Sequence, residues 1–448
     1  MNNILKIILI FIFFTGCSFN KNSKFWTKEK IKVESKLKIE KIFAKEDPLN
    51  LEFNPNLSID IFSKAVNKNF SNNLNNNGRV NFEGIFSTKS KFKFSKIRNF
   101  FRFEPEIIIN EKNIIFFDNK GAVLKFDNNS NLLWKKNFYT KQEKKLKPIL
   151  QMTNNNQILV VADNISKYYA IDIDTGELLW SKYNNSPFNS QIKIYKDKFF
   201  IIDSNNILWC YSLKTGNKIW KIKTSKAFIK SQKKLSIIIM DDKIFFNNSV
   251  GEINAVEIET GTLFWQTPTQ NNLILENTFS LKTSDLVGNK DFIIVSNNRN
   301  SLYSLDVNSG AFNWKQKVNT HLRSTIINEF IFSITMNGFL TIIDSKSGNL
   351  VRITDIFSHI KLKKNRRNLL TGKIIEGSSA RSNIEPVGFI VGISNIYVST
   401  SNGKLLIVDI KTGKTKSILK INNGKISRPF VANKNLFIAT ENSIIRFN

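Results

Sequence analysis

Few residues in this chain are of the types that perform catalysis or bind metals. The two histidines, His321 and His359, lie in different regions with no cysteine nearby, so the spacing of a zinc site is absent. No glycine-rich phosphate loop, nucleophile elbow or paired-carboxylate motif stands out. The acidic residues that do stand out recur along the chain, each followed by a glycine. The sequence therefore predicts no catalytic residue, no metal and no cofactor, and it predicts that these acids are structural.

The recurring unit is an acidic residue, three residues, glycine, three residues and tryptophan. Ser212 and Glu257 take the acidic position in two copies, the last two copies lack tryptophan, and the first copy is short, with Asn131 near the glycine position. The positions are Asp127 and Trp134; Asp172, Gly176 and Trp180; Gly216 and Trp220; Gly261 and Trp265; Asp306, Gly310 and Trp314; Asp344 and Gly348; and Asp409 and Gly413.

Each position of the unit has a structural explanation. An acidic side chain that ends a strand accepts hydrogen bonds from the N–H groups of the following turn. Glycine supplies the positive φ of that turn, and tryptophan offers a large face for packing between sheets. Two alternating apolar stretches precede each unit, often after a proline such as Pro148 or Pro386. Four strands per repeat, at intervals of about 40–50 residues, indicate a propeller blade.

Counting the repeats gives the size of the ring. Seven units are followed by Arg428–Phe447, which reads as three strands of a further blade. The stretch Ser90–Ser95 alternates and is placed to supply the missing fourth strand, which would leave no open sheet edge. The sequence thus predicts an all-β, eight-bladed propeller of four-stranded antiparallel blades, with seven blades as the alternative. Residues 355–384 are an insertion before the last unit.

The N-terminal region differs from the repeats. Residues 1–16 contain an apolar run too short to span a bilayer and read as a signal peptide. The run ends at Thr15-Gly16-Cys17 and resembles a bacterial lipoprotein signal, in which Cys17 becomes the acylated N-terminus; an ordinary secretory signal is the alternative. By the same resemblance, Ser18 favours outer-membrane sorting. Residues 17–73 are predicted to be a tether, and residues 74–448 the propeller.

The net charge of +30 would suggest nucleic acid as a partner in a cytoplasmic protein. An exported protein does not meet nucleic acid, and the many Lys, Asn, Ile and Phe residues reflect A/T-rich codons. We therefore predict no nucleic-acid partner. The densest basic stretch, Lys361–Arg367, lies in the insertion and reads as a solvated loop. Cys210 reads as a small buried apolar residue.

The lipoprotein signal, tether and closed ring of quinoprotein-type repeats together resemble the BamB family of outer-membrane assembly lipoproteins. The resemblance implies a non-catalytic scaffold, anchored in the outer membrane and facing the periplasm. It implies two partners: the periplasmic domains of a BamA-type barrel-inserting subunit, and unfolded outer-membrane proteins. Quinone-dependent dehydrogenases share the repeat but typically carry an adjacent cysteine pair, which this chain lacks. A lipoprotein that binds some other envelope partner is a further alternative.

The resemblance also indicates two neighbouring partner-binding loops. The loop before the fourth blade holds Phe228, Ile229 and Lys230, where the family carries a Leu-x-Leu-Arg element. The loop between the fourth and fifth blades holds Asp285, where the family carries two acidic residues. A separate route to binding is strand addition, in which an extended polypeptide pairs with the outer edge of a blade.

Overall fold

The computed structural model describes residues 49, 51–62, 68–69, 78–84, 86–98, 100, 103, 105–225, 231, 233–270, 281–360, 366–367, 374–375 and 383–448. The signal peptide with Cys17, most of the predicted tether, and the predicted contact residues Phe228, Ile229 and Lys230 lie outside these ranges. Most of Lys361–Arg367 does as well. Within the described residues, no helix is both long and apolar enough to cross a membrane.

The described chain folds into eight antiparallel sheets, each built mainly from consecutive strands. Two strands precede the first blade: β1 (Lys68–Asn69) and β2 (Thr88–Lys93). The first four blades are β3 (Ile108–Asn110), β4 (Asn113–Phe117), β5 (Val123–Phe126) and β6 (Leu132–Lys136); β7 (Leu150–Asn154), β8 (Ile158–Asp163), β9 (Lys167–Asp172) and β10 (Leu178–Tyr183); β11 (Lys193–Tyr195), β12 (Lys198–Ile202), β13 (Ile207–Ser212) and β14 (Lys218–Lys223); and β15 (Ile237–Met240), β16 (Lys243–Asn247), β17 (Glu252–Glu257) and β18 (Leu263–Pro268).

The remaining blades follow the same order. They are β19 (Val287–Gly288), β20 (Phe292–Asn297), β21 (Ser301–Asp306) and β22 (Phe312–Gln316); β23 (Thr325–Ile327), β24 (Phe330–Ile334), β25 (Phe339–Asp344) and β26 (Leu350–Asp355); β29 (Pro386–Val391), β30 (Asn395–Thr400), β31 (Lys404–Asp409) and β32 (Thr415–Lys420); and β33 (Phe430–Ala432), β34 (Asn435–Ala439) and β35 (Ser443–Phe447), completed by β2. A short hairpin, β27 (Arg366–Arg367) with β28 (Ile374–Ile375), lies in the insertion. The described helix is α1, Lys141–Lys145, with a capping box between Thr140 and Glu143.

First strands of successive blades adjoin one another, as β3 does β7 and β15 does β19, so they surround the centre of the ring. Fourth strands such as β10 and β14 expose alternate residues and form the rim. The faces between blades are filled by apolar side chains in several buried clusters. The predicted eight-bladed propeller is confirmed, and Cys210 is buried in a strand as expected.

The repeated acids hold the turns that end the third strands. Asp172 accepts hydrogen bonds from the backbone N–H groups of Asp174 and Thr175 at 3.0 and 2.8 Å, and Gly176 follows with φ of 73°. The bond from the Thr175 N–H lowers the pKa of Asp172. In the shortened first copy, Ser130 has the positive φ, at 68°, in place of Asn131. In the structure these acids therefore cap the turns that end the third strands.

Each repeat tryptophan packs against the next blade. A Cβ atom added to Gly216 would lie 2.6 Å from the ring of Trp180, and one added to Gly310 would lie 2.4 Å from the ring of Trp265. In four of these tryptophans, Trp220 being the exception, the indole N–H also donates to the next blade, as from Trp265 to the carbonyl of Val307 at 3.0 Å. These glycines are therefore required twice, for their positive φ and for the space that the tryptophan fills.

The two units without tryptophan have different explanations. Arg352 occupies the tryptophan position of the sixth blade, and its Nη2 donates to the carbonyl of Ile410 at 3.1 Å, the equivalent acceptor in the next blade. Ser417 occupies this position in the seventh blade. The eighth blade has no acid-to-glycine turn, because its third and fourth strands, β35 and β2, are not consecutive in the chain. A tryptophan at Ser417 would therefore have no glycine to pack against.

The ring closes through β2, as the sequence predicts. Phe92 of β2 is opposite Ile444 of β35, and its ring is fully buried. Arg446 of β35 donates to the hydroxyl of Ser90 at 2.8 Å and to the side chain of Asn128 in the first blade. The eighth blade thus joins both parts of the described chain, and β1 adds a fifth strand at its inner edge.

Trp265→Ala should lower the free energy of unfolding by about 3–5 kcal/mol, because it leaves a cavity against Gly310 and removes the bond to Val307. Phe264→Ala, at the adjacent half-exposed position, is the matched control and should cost far less. Urea unfolding followed by far-UV circular dichroism, which does not rely on the tryptophan signal, measures the free energy of unfolding of both variants. An equal cost for the two variants would contradict the packing role of Trp265.

Candidate functional site at the channel mouth and the outer edges

The two loops predicted to bind a partner are brought together in the structure. Ser231 ends the loop before the fourth blade, and its hydroxyl donates to the carbonyl of Leu281 in the loop between the fourth and fifth blades. The N–H of Ser231 also donates to the carbonyl of Ser249 at 3.3 Å. The described ends of these loops therefore lie side by side on one face of the ring.

Asp285 lies in a different environment from the surface loop in which we predicted it. Its side chain is 4% exposed, and Oδ2 accepts a hydrogen bond from Nη1 of Arg428 at 2.9 Å. The carboxylate is therefore engaged inside the ring, where it fixes the end of its loop beside β19. A direct partner contact by Asp285 stays a prediction.

The Asp285–Arg428 pair belongs to a charged network that crosses the ring. Glu106 precedes the first blade, and its Oε1 lies 2.8 Å from Nζ of Lys234 and 3.1 Å from Nη2 of Arg428. Lys234 precedes the fourth blade, Asp285 the fifth and Arg428 the eighth. Blades one and eight face blades four and five across the central channel, which the first strands of the blades surround. The network therefore bridges opposite sides of the ring at one end of the channel.

Burial and charge oppose each other at the two carboxylates. Burial alone would raise the pKa of each, but Lys234 and Arg428 lower that of Glu106, and Arg428, Lys233 and Lys234 lower that of Asp285. The net direction is downward for both groups, so both remain charged at neutral pH. Removing either partner of such a buried pair leaves an uncompensated charge, which is costly.

At the basic groups of the network, burial and the neighbouring positive charges act in the same direction, and both lower the pKa. The pKa of Lys193, the first residue of β11, is lowered to about 7, because burial and the charges of Arg323 and Arg428 outweigh the attraction of Glu106 and Asp285. Burial and the charge of Arg428 likewise lower the pKa of Arg323 to about 10. Lys193 is therefore a buried amine that changes charge near neutral pH.

The outer edges of the blades form a second kind of surface. Half-exposed apolar side chains recur at the start of the fourth strands of the first five blades, which also carry lysines such as Lys136 and Lys182. The residues are Leu132 and Leu133, Leu178 and Leu179, Ile219, Leu263 and Phe264, and Phe312. The seventh blade carries Thr415 and Lys416 at the corresponding positions.

The chain itself occupies the outer edge of the sixth blade. Phe53, in the predicted tether, pairs with Ile353 of β26 through hydrogen bonds in both directions, at 3.1 and 2.8 Å. Nη1 of Arg352 donates to the carbonyl of Leu57 at 2.8 Å, and Ile59 is buried among side chains of the sixth and seventh blades. The segment turns after this bridge, where the Leu57 N–H donates to the carbonyl of Asn54 at 3.0 Å, so its contact with the blade edge is a single backbone bridge.

Comparison with known proteins identifies the family. The family model described as outer membrane protein assembly factor BamB matches residues 119–354, just over half of the 448 residues. The chain belongs to this family. A curated BamB from Legionella pneumophila (strain Paris) is 23% identical over 217 residues, covering 47% of this chain. The matched region spans about half the length of that relative, 49%.

Solved structures show how widely the BamB-type ring is shared. BamB from Moraxella catarrhalis matches with a TM-score of 0.61 at 13% identity, over 81% of this chain and 100% of that chain. Quinohemoprotein alcohol dehydrogenase from Comamonas testosteroni matches with a TM-score of 0.54 at 11% identity, over 82% and 78%. These likenesses concern the fold, which a BamB protein and a quinone-dependent enzyme have in common.

The charged channel mouth does not fit a quinone cofactor. Its cavity is lined by Asp285, His321, Arg323, Gly388 and Arg428 among others. The cavity volume is about 30 Å³, far below the roughly 300 Å³ of the smallest typical ligand pockets. A larger cavity of about 460 Å³ lies between turns of the first and eighth blades, and its acidic and basic residues are Glu111 and Lys112, both exposed. Among the described residues, no cluster of metal-ligating side chains occurs.

Sequence reasoning missed the cross-channel network. Its ion pairs join residues that are 128, 143 and 322 positions apart in the chain, so no local spacing in the sequence predicts them. One feature of the sequence could have predicted the network, because each of its charged residues lies just before the first strand of a blade. A charge at that repeat position points to the channel mouth.

Lys193→Met should flatten the pH dependence of stability between pH 7 and 9. Because the pKa of Lys193 is about 7 in the fold and near 10.5 when unfolded, the unfolded chain holds more protons in this window. Wild-type stability should therefore rise with pH, by at most about 1.4 kcal/mol per unit from this group. Lys214→Met, at an exposed turn residue, should retain the rise in urea titrations. Identical pH profiles for wild type and Lys193→Met would contradict the assignment.

Proposed function

We propose that the protein is a non-catalytic scaffold of the machinery that assembles β-barrel proteins in the outer membrane. In this role it binds the periplasmic domains of a BamA-type barrel-inserting subunit, and Cys17 carries the lipid that holds it at the outer membrane, facing the periplasm. Membership of the BamB family supports the general role. The observation that carries the proposal is the pairing of the two loops, Ser231 to Leu281, on one face of the ring.

Buried groups fix the described ends of the two loops to the ring. These groups are Ser231 in one loop and Asp285 in the other. Because Lys234 and Asp285 belong to the network that crosses the ring, the loop ends are held relative to the opposite blades. A pre-organised surface loses less conformational entropy on binding. Within it, an apolar residue beside a charge, Ile229 with Lys230, is a suitable contact anchor.

Ile229→Asp combined with Lys230→Glu should weaken binding of the barrel-inserting subunit's periplasmic domains about tenfold or more, because it removes an apolar anchor and reverses a charge. The melting temperature should stay at the wild-type value. The matched control is Ile219→Asp with Lys218→Glu, which makes the same two changes on exposed residues of β14. Biolayer interferometry measures the affinities; equal binding by both double variants would exclude this interface.

The outer edges support a second element of the function, the capture of unfolded barrel precursors by strand addition. The observation that favours it is the backbone bridge between Phe53 and Ile353, because there another segment of the chain hydrogen-bonds to an outer edge. Equivalent edges in blades one to five carry half-exposed apolar side chains. A barrel strand alternates apolar and polar residues, so it can pair its backbone there and lay its apolar side chains on these positions.

A photo-crosslinking amino acid placed at Leu179 or Phe264 should capture an unfolded barrel protein, because these positions lie at open apolar edges. The same crosslinker at Lys416, the corresponding position of the seventh blade, is the control and should capture little. Crosslinked products are separated by electrophoresis and identified by mass spectrometry. Equal capture at all three positions would show that the edges do not select extended chains.

A further inference from the structure

Residues 51–62, on the rim of the sixth and seventh blades, expose several large apolar side chains. Leu51 and Phe62 are 80% and 89% exposed, and Phe53 and Leu57 are close to half-exposed. Among the described residues, Leu51 and Phe62 are the two most exposed large apolar side chains. Single apolar residues are ordinary on a protein surface, but several in one short segment mark a contact surface.

This segment is fixed to the ring on its inner side. Leu49 packs against the apolar cluster of the fifth and sixth blades, and Ile59 is buried between the sixth and seventh. The Ile59 N–H donates to the carbonyl of Lys411 at 3.1 Å. Arg352 donates to the carbonyls of Leu57 and Lys411, and so joins the segment to both blades. The exposed apolar side chains therefore belong to a fixed part of the rim.

Exposed lysines lie beside the segment on the seventh blade. They are Lys411, Lys414, Lys416 and Lys420, in the turn before β32 and along that strand. Asp60 pairs with Lys411 at 2.7 Å, but both side chains are more than half exposed, and such pairs are weak. Asp409, which pairs with Lys416 at 2.6 Å, also accepts the Thr412 N–H of its own turn and is mostly covered. Exposed lysines beside exposed apolar groups are typical of a surface that binds an anionic bilayer.

The place of this surface in the chain favours a lipid bilayer over other partners. Under the proposed function Cys17 carries the lipid anchor, and it precedes Leu49 by 32 positions, from 17 to 49. A chain of that length reaches at most about 110 Å, which keeps the surface within this distance of the bilayer. Contact with the bilayer is then intramolecular, so a weak intrinsic affinity is sufficient.

We propose that residues 51–62 and the seventh-blade lysines form a membrane-facing surface that binds anionic phospholipid. Leu51, Phe53 and Phe62 enter the headgroup region, and the lysines contact the phosphates. The inference rests on the proposed function for the anchor at Cys17, but the surface itself binds without the anchor. The sixth and seventh blades thus face the bilayer, and the edges of the second and third blades, on the opposite side of the ring, face away from it.

Co-sedimentation with vesicles tests this surface in the absence of the anchor. The mature chain carries Cys17→Ser and so has no lipid. One set of vesicles contains phosphatidylethanolamine with phosphatidylglycerol, and the other has phosphatidylcholine in place of phosphatidylglycerol. We expect binding to the anionic vesicles to be about tenfold stronger or more, and to weaken as salt is added. Equal binding to the two sets, or no binding to either, would overturn the proposal.

Variants of the same lipid-free chain locate the surface. Leu51→Ser with Phe62→Ser should weaken vesicle binding about tenfold, because it removes two apolar contacts. Its control is Leu133→Ser with Leu146→Ser, at exposed positions of the first blade and the loop that follows it.

Charge reversal tests the lysines in the same way. Lys414→Glu with Lys420→Glu should also weaken binding, and its control is Lys214→Glu with Lys223→Glu, at exposed positions of the third blade. Both controls should bind as the parent chain does, with unchanged melting temperatures throughout. Equal losses in test and control variants would contradict this surface, whichever protein the two loops bind.

Discussion

The contact on which the rest of the structure depends is the packing of each blade's outer strand under the turn of the next blade. Trp180 against Gly216 and Trp265 against Gly310 repeat it around the ring, and a Cβ on either glycine would collide with the indole. A single blade cannot bury its own faces, so the contact is stable only when the ring closes. Closure comes from β2 beside β35, which joins the N-terminal part of the propeller to its last strands.

A network of ion pairs crosses the centre of the ring. Glu106, Lys234, Asp285 and Arg428 reach across it from opposite blades and pair with one another. The network ties opposite blades together and anchors the loops on that face. Burial lowers the pKa of Lys193 within it, so the charge of this region depends on pH near neutrality.

Periodic features could be predicted from the sequence because each position does the same physical task in every blade. The acid-to-glycine turns, the blade count and the closing strand all follow from alternation and turn chemistry. The pairing of Phe53 with Ile353 and the bond from Arg352 to Leu57 could not, because each joins residues about 300 positions apart. The burial of Asp285 was missed for the same reason, since its partner Arg428 belongs to another blade.

The most direct test of the scaffold role is affinity capture of the tagged lipoprotein from gently solubilised membranes, with crosslinking and mass spectrometry of the bound proteins. We expect the BamA-type subunit to be the main partner and its crosslinks to fall in the two adjoining loops, near residues 227–231 and 280–285. If that subunit is absent, or if its crosslinks fall on the opposite face of the ring, the proposed function or its binding face is contradicted.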